Sequence, residues 1–238
     1  RRQPGFTAAA VRTRVRGTGV GTTCGTMING VAFGQLPFED ASRIVSIGVP
    51  AGQFDEYAKQ QQSCEAIALA RSTSASLHAG TFVSRYPAAI VSVNFLDILR
   101  ARPALGRNFL PEDGQAGAPR IALIGHAVWE REFGRSPDAI GREVRINGEV
   151  HTVVGVMPPG FGFPLYEEIW MPRRAGEPIA DGFVFGRLRP DVSRRSAAAQ
   201  FTGIARGLAP ALAEGAPPAP AVEVVPFAER FVKPALRF

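Results

Sequence analysis

Side chains that could carry out chemistry are few and scattered along this sequence. Its three histidines, His78, His126 and His151, form no HExxH motif and no closely spaced pair, so a metal site would need distant segments to converge. Neither a GxSxG nucleophile elbow nor a GxxxxGK[ST] phosphate-binding loop is present. We therefore expect a protein that is not an enzyme, with no catalytic, cofactor-binding or metal-binding residues and no cofactor.

Two pairs of adjacent carboxylates could be mistaken for the acid–base pairs of hydrolases. They are Glu112-Asp113 and Glu167-Glu168. Adjacent side chains diverge in direction and both pairs fall in predicted loops, so we expect solvated turn residues instead. We also expect His126, just before a helix, to make a local cap contact, and His151 to be exposed on a strand.

The two cysteines are far apart in the sequence. This number excludes a disulfide-rich scaffold and a four-cysteine zinc site. Cys64, late in a predicted helix, is expected to be a small core residue. The alternative is a disulfide between Cys24 and Cys64, which would suit an oxidising compartment.

Four aromatic residues lie close together after a Pro-Gly turn. They are Phe161, Phe163, Tyr166 and Trp170. Packing in the core is one interpretation of this group. The other is an exposed apolar patch that contacts a partner or a hydrophobic substrate. The sequence leaves both open.

Positive charge is concentrated at the beginning of the chain. The formal net charge of the 238 residues is +6, and the only charged residues before Glu39 are Arg1, Arg2, Arg12, Arg14 and Arg16. A basic arm can bind nucleic acid by contacting phosphates. The nearly neutral remainder has no basic stripe to extend such a site, so we expect no nucleic-acid partner.

The elements that must position these residues alternate between short strands and helices. Strands are predicted at 43–49, 66–71, 74–80, 88–93, 120–124, 183–188 and 221–225 from runs rich in apolar and β-branched residues. Helices are predicted at 54–65, 95–100 and 127–133, and from a cap at Ser193 to about residue 208. Asn147-Gly148, between β-rich runs, predicts a type I′ hairpin. Strand–helix–strand units at both ends predict an α+β fold with a smaller β-rich subdomain inserted between them.

A series of short motifs resembles one family. The sequence is similar to the MacB-like periplasmic core domain of FtsX/MacB-type ABC-transporter permeases over roughly residues 36–232. The motifs occur in the family's order: VSVNF (91–95), PALGRNF (103–109), PED (111–113), the run 121–124 with Trp129 and Phe133-Gly134, IGR (140–142), ING (146–148), TVVGVM (152–157) and WMP (170–172).

The resemblance implies three parts. Residues 1–38 form an Arg/Gly-rich arm at the position of the family's first membrane helix, but its arginines should prevent it from spanning a bilayer, which suggests an altered helix. Residues 39–95 and 168–232 form a porter-like subdomain. Residues 96–167 form the inserted, sabre-like subdomain. Phe238 falls about where a second membrane helix would begin.

The resemblance also implies a function. The domain would lie on the periplasmic side of the bacterial inner membrane and couple cytoplasmic ATP hydrolysis to periplasmic movement, for substrate export or control of a partner. Its implied partners are the transmembrane helices of the parent permease, a cytoplasmic ATPase subunit or domain, a periplasmic adaptor, and a second copy in a dimeric transporter. The alternative is a free-standing extracytoplasmic module that binds a partner.

Overall fold

The computed structural model describes residues 38–80, 82–177, 181–209 and 220–230. The arginine-rich arm and Cys24, with its proposed disulfide, lie outside these residues. The described strands are β1 (Ile44–Ile47), β2 (Cys64–His78), β3 (Val83–Val91), β4 (Leu105–Gly106), β5 (Ile121–Ile124), β6 (Glu143–Ile146), β7 (Glu149–Val156), β8 (Ile169–Pro172), β9 (Phe183–Leu188) and β10 (Val224–Pro226). The described helices are α1 (Phe54–Gln60), α2 (Phe95–Leu99), α3 (His126–Phe133) and α4 (Arg194–Leu208).

The strands form one mixed sheet that curls into a barrel. Its order is β10-β1-β9-β2-β3-β8-β5-β7-β4, and β6 pairs with both β2 and β7. Strands β2, β3, β8, β5, β7 and β6 therefore close into a ring of six, and β9, β1 and β10 extend the sheet to one side. The pairs β3–β8 and β5–β7 are parallel, and the other pairs are antiparallel. The predicted α+β class is confirmed.

Strands from both predicted subdomains share this ring. Strands β5, β6 and β7 belong to residues 96–167, whereas β2, β3 and β8 belong to the flanking segments. The two sets hydrogen-bond to each other where β5 pairs with β8 and where β6 pairs with β2. The division into porter-like and sabre-like parts stays a prediction.

Strand β2 is longer than the sequence suggested. The predicted helix at 54–65 ends at Gln60, and residues 64–78 form one strand in place of two. Ile67 and Leu69 face one core cluster while Ala68 and Ala70 face another, so this part of the strand is covered on both faces. Such burial removes the alternation of apolar and polar residues from which strands are usually predicted.

Two local predictions about turns and caps are confirmed. Asn147 and Gly148 have φ values of 53° and 86°, as a type I′ hairpin between β6 and β7 requires. Ser193 caps α4, because its Oγ accepts a hydrogen bond of 3.1 Å from the backbone of Ser196. Gly134 is left-handed after the last turn of α3.

Helix α4 covers the extension of the sheet on one face. Its buried side chains Phe201 and Ile204 belong to the same core cluster as Val45 and Ile47 of β1. Phe161, Phe163 and Trp170 belong to a different cluster, which also includes Phe185 of β9 and Phe227. The sheet therefore separates the packing of α4 from the aromatic group.

Candidate functional site

Phe163 lies where the first and last described segments of the chain meet. Its ring stacks on Phe227 with a centroid distance of 4.9 Å, meets Phe38 edge-on at 5.8 Å and contacts Phe185 of β9 at 5.1 Å. Phe163, Phe185 and Phe227 are fully buried. We call the residues Phe38, Phe161, Phe163, Trp170, Phe185 and Phe227 the junction cluster.

A loop after β7 positions the ring of Phe163. Its first turn is closed by a 3.2 Å hydrogen bond from the Phe161 amide to the carbonyl of Pro158. The indole Nε1 of Trp170 then donates a 2.7 Å hydrogen bond to the carbonyl of Phe163, and the Trp170 ring packs edge-on against Phe161 at 5.2 Å. The buried indole thus satisfies its polar atom while fixing the loop backbone.

A buried carboxylate holds the end of the same loop. Glu167 is only 2% exposed, and its oxygens accept hydrogen bonds from the amides of Leu165 (2.8 Å) and Tyr166 (3.2 Å) and from the Ser72 hydroxyl (2.5 Å). The expectation that Glu167 is a solvated turn acid was wrong. A carboxylate with three donors can be buried because its oxygens are satisfied within the protein.

The segment before β1 is held by a buried arginine. Arg187 of β9 is inaccessible to solvent. Its Nε donates to the carbonyl of Ile98 at 2.8 Å, and its Nη1 donates to the carbonyls of Glu39 (2.9 Å) and Asp40 (3.2 Å). Burial lowers the pKa of this guanidinium from its ordinary value. One side chain therefore ties β9 to the end of α2 and to the segment 39–40.

Ion pairs at the surface reinforce this attachment. Arg100 pairs with Glu39 at 2.7 Å and with Asp40 at 3.4 Å. Arg43 pairs with Glu65 at the start of β2, and its Nε donates to the carbonyl of Leu188 at 2.8 Å. The exposed pairs contribute little each, but together they orient the segment that leads into β1.

The last described segment is attached to β1 as well. The amide of Phe227 donates to the carbonyl of Ile44 at 3.0 Å, next to the pairing of β1 with β10. The guanidinium of Arg230 lies 4.9 Å from the ring centroid of Phe183, within cation–π range. The segments before β1 and after β10 are thus fixed to the same edge of the molecule.

The structure divides the four aromatic residues predicted as a group. Phe163 and Trp170 are 1% and 0% exposed and pack in the core, and Phe161 is half-buried. Tyr166 is 61% exposed. Contact with a partner or hydrophobic substrate stays a prediction, and only Tyr166 offers most of its surface for it.

Other residues whose types suggested catalytic chemistry make contacts that stabilise the local structure. Asp113 was expected to be solvated, but it is 6% exposed and accepts hydrogen bonds of 2.7 Å from both Arg107 and the Leu110 amide. Glu112, the adjacent carboxylate of the predicted pair, is exposed. This carboxylate therefore stabilises its own turn and is not paired with a second acid.

The predictions for His151 and Cys64 each need a correction. His151 was expected to be exposed but is 5% exposed, because it lies opposite Val144 on the inner face of the hairpin. Burial lowers its pKa, and its Nδ1 lies 3.0 Å from the carbonyl of Glu149. Cys64 is buried as expected, but in a strand, and burial raises its thiol pKa to about 12.

The cap contact expected of His126 was wrong, because His126 is the first residue of α3 and Gly125 is its N-cap, with no side-chain cap hydrogen bond. The ring of His126 packs edge-on against Trp129 at 5.4 Å, and its Nδ1 lies 3.7 Å from a carboxylate oxygen of Glu130. Across the described ranges, no three His, Cys, Asp or Glu side chains are grouped closely enough to hold a metal ion.

Three important residues of this site were missed in the sequence. Phe38 and Phe227 lie near the ends of the described chain, where no periodic pattern marks a core position. Arg187 lies inside the apolar run FVFGRL of β9, and a lone arginine in a strand buried on both faces was a signal that could have been used.

Comparisons with known proteins agree with this architecture. Residues 6–204 match the family described as the MacB-like periplasmic core domain. No curated protein matches this sequence significantly. In the parts of the chain that the structure covers, no helix has the length and hydropathy needed to cross a membrane.

Three solved structures share the fold. The periplasmic region of MacB from Actinobacillus actinomycetemcomitans has a TM-score of 0.60 and 13% identity, over 83% of this chain and 94% of that one. A domain of a permease protein from Porphyromonas gingivalis has a TM-score of 0.58 and 16% identity, over 79% and 92%. The extracellular domain of the ABC-type transporter YknZ from Gram-positive bacteria has a TM-score of 0.57 and 14% identity, over 76% and 99%.

Fold and site together define an α+β domain of the periplasmic or extracellular type, built around a six-stranded ring. Since the family match covers most of the sequence, this chain belongs to the MacB-like periplasmic core domains. It is a periplasmic or extracellular domain of the MacB/FtsX class of ABC-transporter permease, a family that is generally non-catalytic.

Proposed function

We propose that this domain couples ATP hydrolysis in the cytoplasm to movement outside the membrane, for substrate export or control of a partner. The observation that carries the proposal is the convergence of the segments before β1 and after β10 on Phe163. In the proposed transporter these segments lead to the first and second transmembrane helices. A displacement of either helix would reach the domain through this cluster.

The contacts of Arg187 supply a second connection between these segments and the body. Its hydrogen bonds fix residues 39–40 to β9, which lies between β1 and β2 in the sheet. Hydrogen-bonded strands resist relative displacement along the ladder, so a force on residues 39–40 would pass into the sheet. Arg187 is therefore proposed as a positioning residue for this transmission.

Strand β2 can carry the movement away from the junction. It pairs with β9 near its start and with β6 near its end. Its 15 residues span about 50 Å at roughly 3.3 Å per residue. A rigid element of this length connects the junction cluster with the far end of the ring, where a partner or substrate would be moved.

The proposed assembly follows from this role. The domain acts with the transmembrane helices of its permease and with a cytoplasmic ATPase subunit or domain, in a dimer, and a periplasmic adaptor is a further partner. No cofactor is needed, because the domain performs no reaction. The chain would lie at the periplasmic side of the inner membrane.

A distance measurement in the whole transporter tests this proposal. A spin label is attached at Ala199→Cys, on the exposed side of α4. Cys24→Ser removes one of the two natural cysteines, and the other, Cys64, is buried and should not react with the label. We expect the distance between the two labelled protomers to change when ATP replaces ADP. A distance that is identical in both nucleotides, while ATP is still hydrolysed, would contradict coupling and favour a free-standing binding module.

A further inference from the structure

A row of exposed residues crosses four strands at the far end of β2. Val83 of β3 lies opposite His78 of β2, His78 lies opposite Arg145 of β6, and Arg145 lies opposite Val150 of β7. Residues directly opposite each other in antiparallel strands project from the same face. Neighbouring strands are about 4.8 Å apart, so the row is about 14 Å long. We call Val83, His78, Arg145 and Val150 the distal row.

The two faces of this part of the sheet differ in burial. The neighbours of the distal row along the strands, Leu77, Val144 and Ile146, are at most 3% exposed and belong to a core cluster. In contrast, Val83 is 55% exposed and Val150 is 44% exposed. The core therefore covers only the opposite face, and the distal row is left facing solvent.

The sheet exposes a large apolar surface near the distal row. Phe82, which immediately precedes Val83, is 80% exposed. The described residues include five large apolar side chains with high exposure, and Phe82, Val83 and Val150 are three of them. Aromatic and β-branched side chains lose little conformational freedom when they become buried, so they suit a contact surface.

Positive charge exceeds negative charge on this face: Arg85 and Arg145 are exposed there, and Glu143, two residues before Arg145 in β6, is an exposed carboxylate on the same face. Arg145 donates only to the carbonyl of Gly148 in its own turn, and Arg85 donates to the Ser74 hydroxyl. Arg142, one residue before β6, contacts the carbonyl of Ala79 and the ring of Phe133, which belongs to the core cluster on the opposite face. Within the described ranges none of these three arginines forms an ion pair, whereas Arg43 and Arg100 near the junction cluster are paired with carboxylates.

The excess of Arg85 and Arg145 over Glu143 favours an occupant that carries negative charge. A second copy docking with the same face would bring these arginines together and is disfavoured. The first 37 residues carry five arginines and no carboxylate, and residues 231–238 carry Lys233 and Arg237 and no carboxylate, so neither segment complements the surface.

We propose that the distal row, with Phe82 and Arg85, is a docking surface for an extracytoplasmic protein segment that combines apolar side chains with Asp and Glu. The distal row lies along a sheet face and does not project as a single tip. This shape favours binding of a protein segment over insertion into a bilayer. The proposal rests on the proposed function, because it specifies the chemistry of a partner at the far end of β2, but its test needs no ATP.

Matched probes test the proposed chemistry directly. Two short synthetic peptides share the same alternating Val and Phe residues, but one carries Glu and Asp at the charged positions and the other carries Lys. Vesicles that contain phosphatidylglycerol are the third probe. We expect the full chain to bind the acidic peptide, more weakly at high salt because exposed charges are screened, and to bind neither the basic peptide nor the vesicles.

Charge-reversed variants locate the site. Arg85→Glu with Arg145→Glu should weaken binding of the acidic peptide by about tenfold or more, since two attractions become repulsions. Arg195→Glu with Arg206→Glu, on the exposed side of α4, makes the same change of net charge elsewhere and should leave binding unchanged. Thermal unfolding of both double variants verifies that they fold.

Several results would overturn the proposal. They are no binding of the acidic peptide, equal binding of both peptides, equal loss in the two double variants, or binding to vesicles alone. Because no ATPase is present in these assays, their outcome is separate from the test of coupling.

Discussion

Phe163 stacks on Phe227 with 4.9 Å between ring centroids and 29° between ring planes. Phe227 belongs to the segment after β10, and Phe163 also contacts Phe38 before β1. One aromatic side chain from the middle of the sequence therefore joins two segments about 190 residues apart, which is a long-range contact of the kind that fixes a tertiary fold.

The first prediction separates packing from partner contact among the predicted aromatic residues. Phe163→Ala should lower the free energy of unfolding by about 3–5 kcal/mol, because a large buried ring is replaced by a cavity. Tyr166→Ala should change it by less than about 0.5 kcal/mol, as is usual for an exposed site. Chemical denaturation measures both. A small effect of Phe163→Ala would show that the junction cluster does not stabilise the domain.

The second prediction concerns the buried guanidinium of Arg187. Arg187→Met keeps an apolar side chain of similar length but leaves three backbone carbonyls without this donor, so stability should fall by about 3 kcal/mol or more. The control Arg189→Met removes an exposed arginine whose Nε donates to a single carbonyl, that of Gln62. Equal urea midpoints for the two variants would contradict the role of Arg187 as a clamp.

The third prediction uses the close approach of strands at Gly186. A Cβ there would lie 2.9 Å from the carbonyl oxygen of Ala66 and 2.9 Å from Cγ2 of Ile67. Gly186→Ala should therefore destabilise the domain by about 1–3 kcal/mol through overpacking. Gly203 of α4 has no atom within 4 Å of an added Cβ, and Gly203→Ala should stabilise by about 0.5–1 kcal/mol. Melting temperatures that shift in the same direction would refute this description of the packing.

Local chemistry made part of the fold predictable. The hairpin at Asn147-Gly148 and the cap at Ser193 each depend on side chains and φ values within a few residues. The aromatic group was recognised from its composition, but the sequence could not decide which rings are buried. That division depends on Phe38, Phe185 and Phe227, which approach from distant segments.

Contacts between distant segments determine the features that were not predicted from the sequence. Residue Cys64 was assigned to a helix because the preceding residues are helical, but pairing with β9 makes it part of a strand. His151, Asp113 and Glu167 are polar residues near turns, and polar residues near turns are usually exposed. Each is buried here because partners from the backbone or from another segment satisfy it.

The fourth prediction is a pH dependence that arises from His151. Burial lowers the pKa of this imidazole below its ordinary value of 6.5, and nearby Arg120 acts in the same direction. Below about pH 6.5 the imidazole is protonated more readily in the unfolded chain than in the folded chain. This contribution to the free energy of unfolding is therefore present above pH 6.5 and is lost as the pH falls.

His151→Gln removes the titrating group. The loss of stability between pH 7 and pH 5 should be smaller in this variant than in the unmodified chain. His78→Gln, which replaces an exposed histidine in the same way, is the matched control. If both variants retain the full pH dependence, His151 is not its source.

The most direct test of coupling compares two buried rings in the whole permease. Phe163→Leu loses the stacking with Phe227 and the contact with Phe38, whereas Phe133→Leu alters a buried ring of α3 in another core cluster. We expect Phe163→Leu to reduce the ATP-dependent change in the distance between Ala199→Cys labels, with ATP hydrolysis continuing, and Phe133→Leu to preserve it. An undiminished distance change in Phe163→Leu would contradict transmission through the junction cluster.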